Sequence, residues 1–344
     1  MNLQRFQRVL WALLGVVAGV GAAQATDISG AGATFPYPIY SKWADAYKQQ
    51  TGVGLNYQSI GSGGGIKQIK AKTVTFGATD MPLKPDDLKE GGLVQFPMII
   101  GGVVPVVNVK GVQAGQMVLN GATVASIYMG EITKWNDARI QKLNPKLPLP
   151  ATNIAPIYRS DGSGTNFLFS HYLSQTSPTF KDKIGENTSV QWPIGIGAKG
   201  NEGVANMTAQ TDGAIGYVEY AYAKQTKMAY AALVNSAGKT VEPNSESFQA
   251  AAGNADWAHA PGYYLILTDQ SGAGSWPITG ASFILVYGTP PDAVATGEAL
   301  KFFDWAYRNG GKMASELDYV PLPDSLIKQV RATWKADVKG APAL

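Results

Sequence analysis

The chain has no cysteine, which excludes a disulfide framework, thiol catalysis, cysteine-ligated metal and a lipid-bearing cysteine behind a leader. Histidine is nearly absent as well: only His171 and His259 occur, outside any metal-ligand spacing. A hydrolase built on a serine nucleophile or a metal needs a base or ligands that this supply barely covers. Long apolar runs are also scarce. Val9 to Gly21 is too short to span a bilayer; it follows Arg5 and Arg8 and precedes Ala23-Gln24-Ala25, a small-residue cleavage signature. Residues 1–25 are therefore expected to be a secretory leader, set aside from the fold. No later apolar run reaches membrane-spanning length, so the exported chain is expected to be soluble, without direct membrane insertion. A surplus of one charge is missing too. The 28 Lys and Arg residues face 25 Asp and Glu, and losing Arg5 and Arg8 leaves 26 basic residues against 25. No excess remains to neutralise a phosphodiester backbone, so nucleic acid is excluded as an expected partner.

What the chain has in plenty is glycine, 40 residues, well above the ordinary share. Many of them fall in one repeated pattern of strand, glycine-and-hydroxyl loop, then helix. Gly30-Ala31-Gly32-Ala33-Thr34-Phe35-Pro36 follows a short strand around Ile28 and leads into Ile39, Trp43 and Tyr47, apolar at helical spacing up to Gly52. Leu55 to Ile60 reads as a strand, followed by Gly61-Ser62-Gly63-Gly64-Gly65 and a helix expected to begin near Ile66. Asn153 to Tyr158 reads as a third strand. It runs through Arg159-Ser160-Asp161-Gly162-Ser163-Gly164-Thr165 into an expected amphipathic helix, Asn166 to Leu173.

Each such loop leaves helix-initial N–H groups unpaired, with the positive end of the helix dipole behind them, and this binds anions without a metal. Arg159 adds a planar fork matched to a tetrahedral oxyanion. Ser163 and Thr165 add hydroxyl donors, and Asp161 is placed to hold the guanidinium. A fourth loop differs in kind: the strand Val74 to Ala78 ends at Thr79-Asp80-Met81-Pro82 and presents a carboxylate. Three donor loops and one acceptor loop suit an anion that also carries a proton. A plain reading stands beside this one, with Thr34 as a helix cap, Ser62 as a loop hydroxyl and Asp80 capping the turn before Pro82. The two readings are compatible, because a cap N–H and an anion site are the same physics.

Strands alternating with helices along the chain predict an α/β architecture with mostly parallel sheets, whose ligand loops lie at the carboxyl ends of strands. The length suits two domains. Phe96 to Val109, apolar and broken at Gly101-Gly102, is expected to cross from one lobe to the other, and Trp276 to Tyr287 is a second candidate crossing. The resulting partition is residues 26–101 plus 279–344 in lobe one and 102–278 in lobe two. Two nucleotide motifs fail on inspection. In Gly61 to Gln68 the lysine follows Ile66 rather than a glycine. Gly195-Ile196-Gly197-Ala198-Lys199-Gly200 matches a dinucleotide fingerprint, but Pro193 precedes it and a short helix, Val204 to Gln210, follows.

Gly30 to Pro36, Phe76-Gly77-Ala78-Thr79-Asp80, Asp161 to Thr165, Trp192-Pro193-Ile194-Gly195, Gly213 to Tyr220 and Phe302-Phe303-Asp304-Trp305-Ala306 together resemble the periplasmic phosphate-binding proteins of ABC-type phosphate uptake systems. The likeness covers essentially the whole chain after the leader. It implies a two-lobed, type II periplasmic binding protein fold of the Venus-flytrap kind, with a mixed, mostly parallel sheet in each lobe and two crossover hinge strands. It also implies that inorganic phosphate is held dehydrated between the lobes by the backbone N–H groups of Thr34 and Phe35, with Ser62, Asp80, Arg159, Ser163, Gly164 and Thr165, and with Asp161 pairing with Arg159. No catalytic residue, metal or cofactor is implied. The expected partners are an ABC-type phosphate permease with its ATPase complex, the expected location is the periplasm, and a monomer is expected. Asp80 is expected to stay ionised between about pH 5 and 8, accepting a proton that phosphate carries and sulfate lacks. Two rival readings are a receptor for another oxyanion and a secreted phosphate-handling hydrolase. Against the second, Ser163 lacks the outer glycines of a nucleophile elbow.

Overall fold

The computed structural model describes residues 27–343; the expected leader at residues 1–25 lies outside the described residues. Among these, the strands are β1 (Ile28–Gly32), β2 (Leu55–Ser59), β3 (Phe76–Thr79), β4 (Leu93–Val107), β5 (Val118–Asn120), β6 (Ala155–Arg159), β7 (Ile196–Ala198), β8 (Ala214–Glu219), β9 (Ala229–Tyr230), β10 (Ala232–Val234), β11 (Thr240–Val241) and β12 (Thr279–Tyr287). Nine of them form one curled sheet in the order β2-β1-β3-β12-β4-β8-β6-β7, with β9 also on β4. The remaining three make a small sheet, β11-β10-β5. The large sheet is parallel at both flanks, where β1 pairs with β2 and β3 and β6 pairs with β7 and β8. Its centre is antiparallel, built on β4 and β12.

The strand β4 changes partner halfway along. Leu93 to Gly102 pairs with β12, and Val103 to Val107 pairs with β8. The switch falls at the Gly101-Gly102 pair, and a Cβ at Gly102 would strike the ring of Phe248. The second expected crossing is shorter than its sequence suggested, since β12 begins only at Thr279. The three residues before it lie along β4 at the switch: Val103 N donates to the Ile278 carbonyl at 2.8 Å, and Trp276 Nε1 donates to the Val103 carbonyl at 2.9 Å. Two chain segments therefore run side by side where β4 passes between the two parallel flanks.

The helix Tyr37–Thr51 buries Ile39, Tyr40, Trp43 and Tyr47, one stripe at helical spacing, and stops at Gly52, whose φ of 78° lets its N–H turn back to the Lys48 carbonyl. The next helix departs from expectation. It spans Ser62–Lys70, starting four residues before Ile66 and taking Gly63, Gly64 and Gly65 into its first turns. Glycine propensity argues against this, but close packing requires it: a Cβ on Gly65 would sit 2.5 Å from Gly32 Cα and 2.6 Å from the Ala31 carbonyl oxygen. The helix lies directly on the backbone of β1, and Ser62 moves from mid-loop to the first helical residue.

The helix after the third such loop, Gly164–Thr176, is not amphipathic as expected but buried almost all round. Its buried asparagine is matched by neighbouring segments, while the Ser174 hydroxyl has no partner among the described residues. The Tyr217 hydroxyl donates to Asn166 Oδ1 at 2.5 Å, and Asn166 Nδ2 donates to the Asn187 carbonyl at 2.9 Å, so burial leaves those groups paired. Aromatic rings fill both flanks. Tyr40, Tyr57, Phe76, Phe96 and Phe303 pack on the β1–β3 side. On the other side Phe169 stacks on Tyr217 with ring centres 4.0 Å apart, beside Tyr128 and Trp192.

Candidate functional site

The carboxyl ends of the two parallel flanks meet. From one flank come the loop after β1 with Thr34 and Phe35, Ser62 after β2, and Asp80 immediately after β3. From the other come Arg159 at the end of β6, Ser163, Gly164 and Thr165 at the start of the following helix, and the helix Gly200–Gln210 after β7. Thr34, Phe35, Ser62, Asp80, Arg159, Ser163 and Thr165 are each 2% exposed or less. These residues lie buried where the flanks meet, with Asp161 only partly buried beside Arg159.

Direct hydrogen bonds join the flanks. The Ser62 hydroxyl oxygen accepts from Asp80 N at 3.1 Å and from Gly164 N at 3.0 Å, and Gly63 N donates to the Gly162 carbonyl at 2.8 Å. A Cβ on Gly164 would lie 2.5 Å from both Ser62 Oγ and Asp80 Oδ2, so only glycine lets the three approach. With two N–H groups on its oxygen, the Ser62 hydroxyl keeps only its proton to offer. Ser163 is the helix N-cap, its hydroxyl accepting from Asn166 N at 2.9 Å. The loop of Thr34 and Phe35 is clamped from below: Tyr222 donates to the Thr34 carbonyl and Tyr319 to the Phe35 carbonyl, both at 2.6 Å.

Charge in the cluster is unevenly matched. Arg159 grips Asp161 with two bonds, Nε to Oδ1 at 2.8 Å and Nη2 to Oδ2 at 2.6 Å, while Gly200 N donates to Asp161 Oδ1 at 3.2 Å. Burial pushes the Asp161 carboxyl up, but the Arg159 fork and the Gly200 N–H outweigh it and hold it below the usual carboxylate range. Arg159 Nη1, also buried, has no partner among the described residues, and neither has either oxygen of Asp80. Burial raises Asp80 to about 7, against the pull of the Ser282 hydroxyl, the Arg159 guanidinium and Ser62. This corrects the expectation that Asp80 stays ionised from about pH 5 to 8. Desolvation in a dry site outweighs the neighbouring cation.

Two residues of the cluster escaped the sequence reading. Asn201, fully buried, opens the helix after β7 and touches both flanks. Nδ2 donates to Thr34 Oγ1 at 2.7 Å and to Thr165 Oγ1 at 3.2 Å. Its signal lay in Gly195 to Gly200, which is a further strand, glycine turn and helix, with Gly200 at φ 71°. The likeness of that stretch to a dinucleotide fingerprint masks the pattern. Ser282 is a buried hydroxyl on β12, near enough to act on the Asp80 carboxyl but without a well-formed hydrogen bond among the described residues, and nothing in its local sequence marks it. His171 lies away from the cluster, its Nδ1 2.6 Å from Thr268 Oγ1. Among the described residues no group of His, Asp and Glu is arranged to hold a metal ion.

Comparison with known proteins agrees in kind. The family model of the PBP superfamily domain matches residues 19–309. The phosphate-binding protein PstS of Xylella fastidiosa strain Temecula1 is 54% identical over 316 residues, 92% of this chain and 87% of that protein. PstS of Haemophilus influenzae is 52% identical over 92% of this chain and 95% of its own length. In fold, the chain is similar to a high-affinity periplasmic phosphate-binding protein solved with bound phosphate (PfluDING; TM-score 0.73, 20% identity, 92% of this chain and 100% of that one). It is also similar to a phosphate-binding protein of Stenotrophomonas maltophilia (TM-score 0.67, 21% identity, 92% and 96%). A superfamily match over most of the length, and more than half of all residues shared with PstS proteins across 92% of the chain, place it in the PstS phosphate-binding protein family of the PBP superfamily.

Proposed function

We propose that the chain captures inorganic phosphate in this cluster and delivers it to an ABC-type membrane importer, a permease with its ATPase complex, as a binding protein without catalytic turnover. The observation that carries the reading is the pair of buried, unpartnered groups: a guanidinium N–H on Arg159 and a carboxyl on Asp80. Leaving such groups unpaired costs folding free energy, and a partly protonated oxyanion satisfies both at once, accepting from one and sharing a proton with the other. Thr34, Phe35, Ser62, Ser163, Gly164 and Thr165 are the surrounding contacts, and Asp161 holds the Arg159 fork flat. Residues 1–25 act as the leader that brings the chain to the periplasm, and the protein works as a monomer.

The first test is a calorimetric titration of phosphate-stripped protein with phosphate, sulfate, arsenate and phosphonate. Phosphate is expected to bind with sulfate far weaker; a preference for sulfate or phosphonate would reassign the ligand. Incubation with p-nitrophenyl phosphate separates the hydrolase reading, since sustained turnover by the pure protein would contradict a binding role.

The same proposal divides the molecule into residues 26–101 plus 279–344 and residues 102–278. The partner switch of β4 between Gly102 and Val103 and the start of β12 at Thr279 support those boundaries. Closure about them predicts a smaller radius of gyration in small-angle scattering when phosphate is added to ligand-free protein. An unchanged radius in a sample that binds phosphate by calorimetry would count against the division.

A further inference from the structure

A hydroxyl is both donor and acceptor, and an anion site works only if its hydroxyls are held as donors. Thr34 Oγ1 accepts two N–H groups, both from Asn201: the backbone N at 3.2 Å and Nδ2 at 2.7 Å. The second Nδ2 proton reaches Thr165 Oγ1 at 3.2 Å, on the opposite flank. The amide is not free to flip, because the backbone N–H of Glu219 donates to Asn201 Oδ1 at 3.0 Å and would face an NH2 group if it did. The oxygen of Thr34 is therefore saturated and that of Thr165 is engaged. Their protons are left to be offered elsewhere.

We propose that Asn201 is the positioning residue that makes Thr34 and Thr165 donors for the ligand, setting the polarity of both flanks with one amide. The inference rests on the phosphate reading above and adds a residue that acts on the anion through two hydroxyls rather than by contact. It also explains why a carboxamide stands fully buried in the first turn of this helix, where a single hydroxyl would reach only one flank.

A double-mutant cycle tests this. Asn201→Leu keeps the branched shape at a somewhat larger volume and removes both amide donors, together with the oxygen that accepts from Glu219 N, without adding charge; Thr34→Val with Thr165→Val removes both hydroxyls. Asn201→Leu in the wild-type background is expected to weaken phosphate binding by roughly tenfold to a few hundredfold, the range for losing well-directed hydrogen bonds to a charged group. In the double-valine background the same change is expected to cost less than about threefold, because nothing remains for the amide to orient. Circular dichroism verifies folding of each variant, and Asn201→Ala enters the same cycle if the leucine variant does not fold. Equal losses in both backgrounds would overturn the proposal and leave Asn201 a structural residue. A wild-type protein that binds no phosphate would instead remove the ligand reading beneath it.

Discussion

Arg159→Ala is expected to weaken phosphate binding by tens to thousands of fold, with the fold intact by circular dichroism. The side chain is 1% exposed and, among the described residues, carries the only full positive charge placed in the cluster, so its removal leaves neutral donors and helix ends to hold a dehydrated anion. It also strips Asp161 of its two-bond partner, leaving that carboxylate with the Gly200 N–H. Truncating one member of a buried charge pair costs about 2–5 kcal/mol, and each decade of affinity is about 1.4 kcal/mol. Arg159→Lys should fall between the two, because an ammonium keeps the charge but cannot engage Asp161 and an oxyanion in one plane. Calorimetric affinity for Arg159→Ala within about threefold of wild type would show that the guanidinium does not face the ligand.

Asp80→Asn should have two separable effects, on selectivity and on stability. Sulfate has no proton to give an ionised carboxylate, and a site built to pair a ligand proton rejects an analogue lacking it by about 10⁴-fold or more. That rejection holds fully only where Asp80 is ionised, above its raised value of about 7. Toward neutral pH the protonated carboxyl can itself donate to sulfate, so sulfate affinity should rise about tenfold per pH unit on descending to 7 and level off below it. Phosphate supplies the shared proton itself and should vary little. The asparagine amide donates at every pH, so the variant should bind phosphate modestly more weakly and lose most of the preference over sulfate. Side-by-side titrations giving an unchanged phosphate-to-sulfate ratio would show that Asp80 is not the discriminating group.

The stability effect follows from the same burial. Asp80 moves from 3.8 to about 7 on folding, so between those values the native state holds more protons than the unfolded chain. Stability then falls as pH rises through that window. Three pKa units correspond to about 4 kcal/mol, all of it exerted above about pH 7 and little of it near pH 4. Ligand-free Asp80→Asn should therefore be more stable than wild type at pH 8, by about 2–4 kcal/mol, and similar at pH 4. Glu219, also raised by burial, keeps some slope in both proteins. Denaturant midpoints that differ equally at both pH values would contradict the assignment.

The parts of the site that can be read from sequence are those carried by local chemistry. Strand, glycine and hydroxyl in succession mark the loops of Thr34, Ser62 and Ser163, and a two-residue separation pairs Arg159 with Asp161. Asp80 is visible because a carboxylate ends a short strand. Asn201 and Ser282 belong to the site only through tertiary placement. A helix-opening asparagine and a serine within an apolar strand have ordinary explanations in sequence, and only the meeting of the flanks gives them others. The same limit applies to the helices. The start at Ser62 rather than Ile66 depends on the backbone of β1 lying beneath Gly65, and the burial of Gly164–Thr176 depends on partners such as Asn187 and Tyr217. The long strand, expected at Phe96 to Val109 and found at Leu93–Val107, was legible because a long, mostly apolar run with a glycine pair admits few other placements.

The position of β12 has a consequence for the order in which the molecule is made. It lies between β3 and β4, yet it comes from residues 279–287, far downstream of both. Until those residues leave the ribosome, β1, β2 and β3 have no sheet contact with β4, and the first half of the chain has no finished core of its own. Closing so long a loop is a slow, non-local event. A chain of this topology cannot complete its large sheet until its last quarter has been synthesised, and an incompletely folded polypeptide is the form that can be threaded across a membrane.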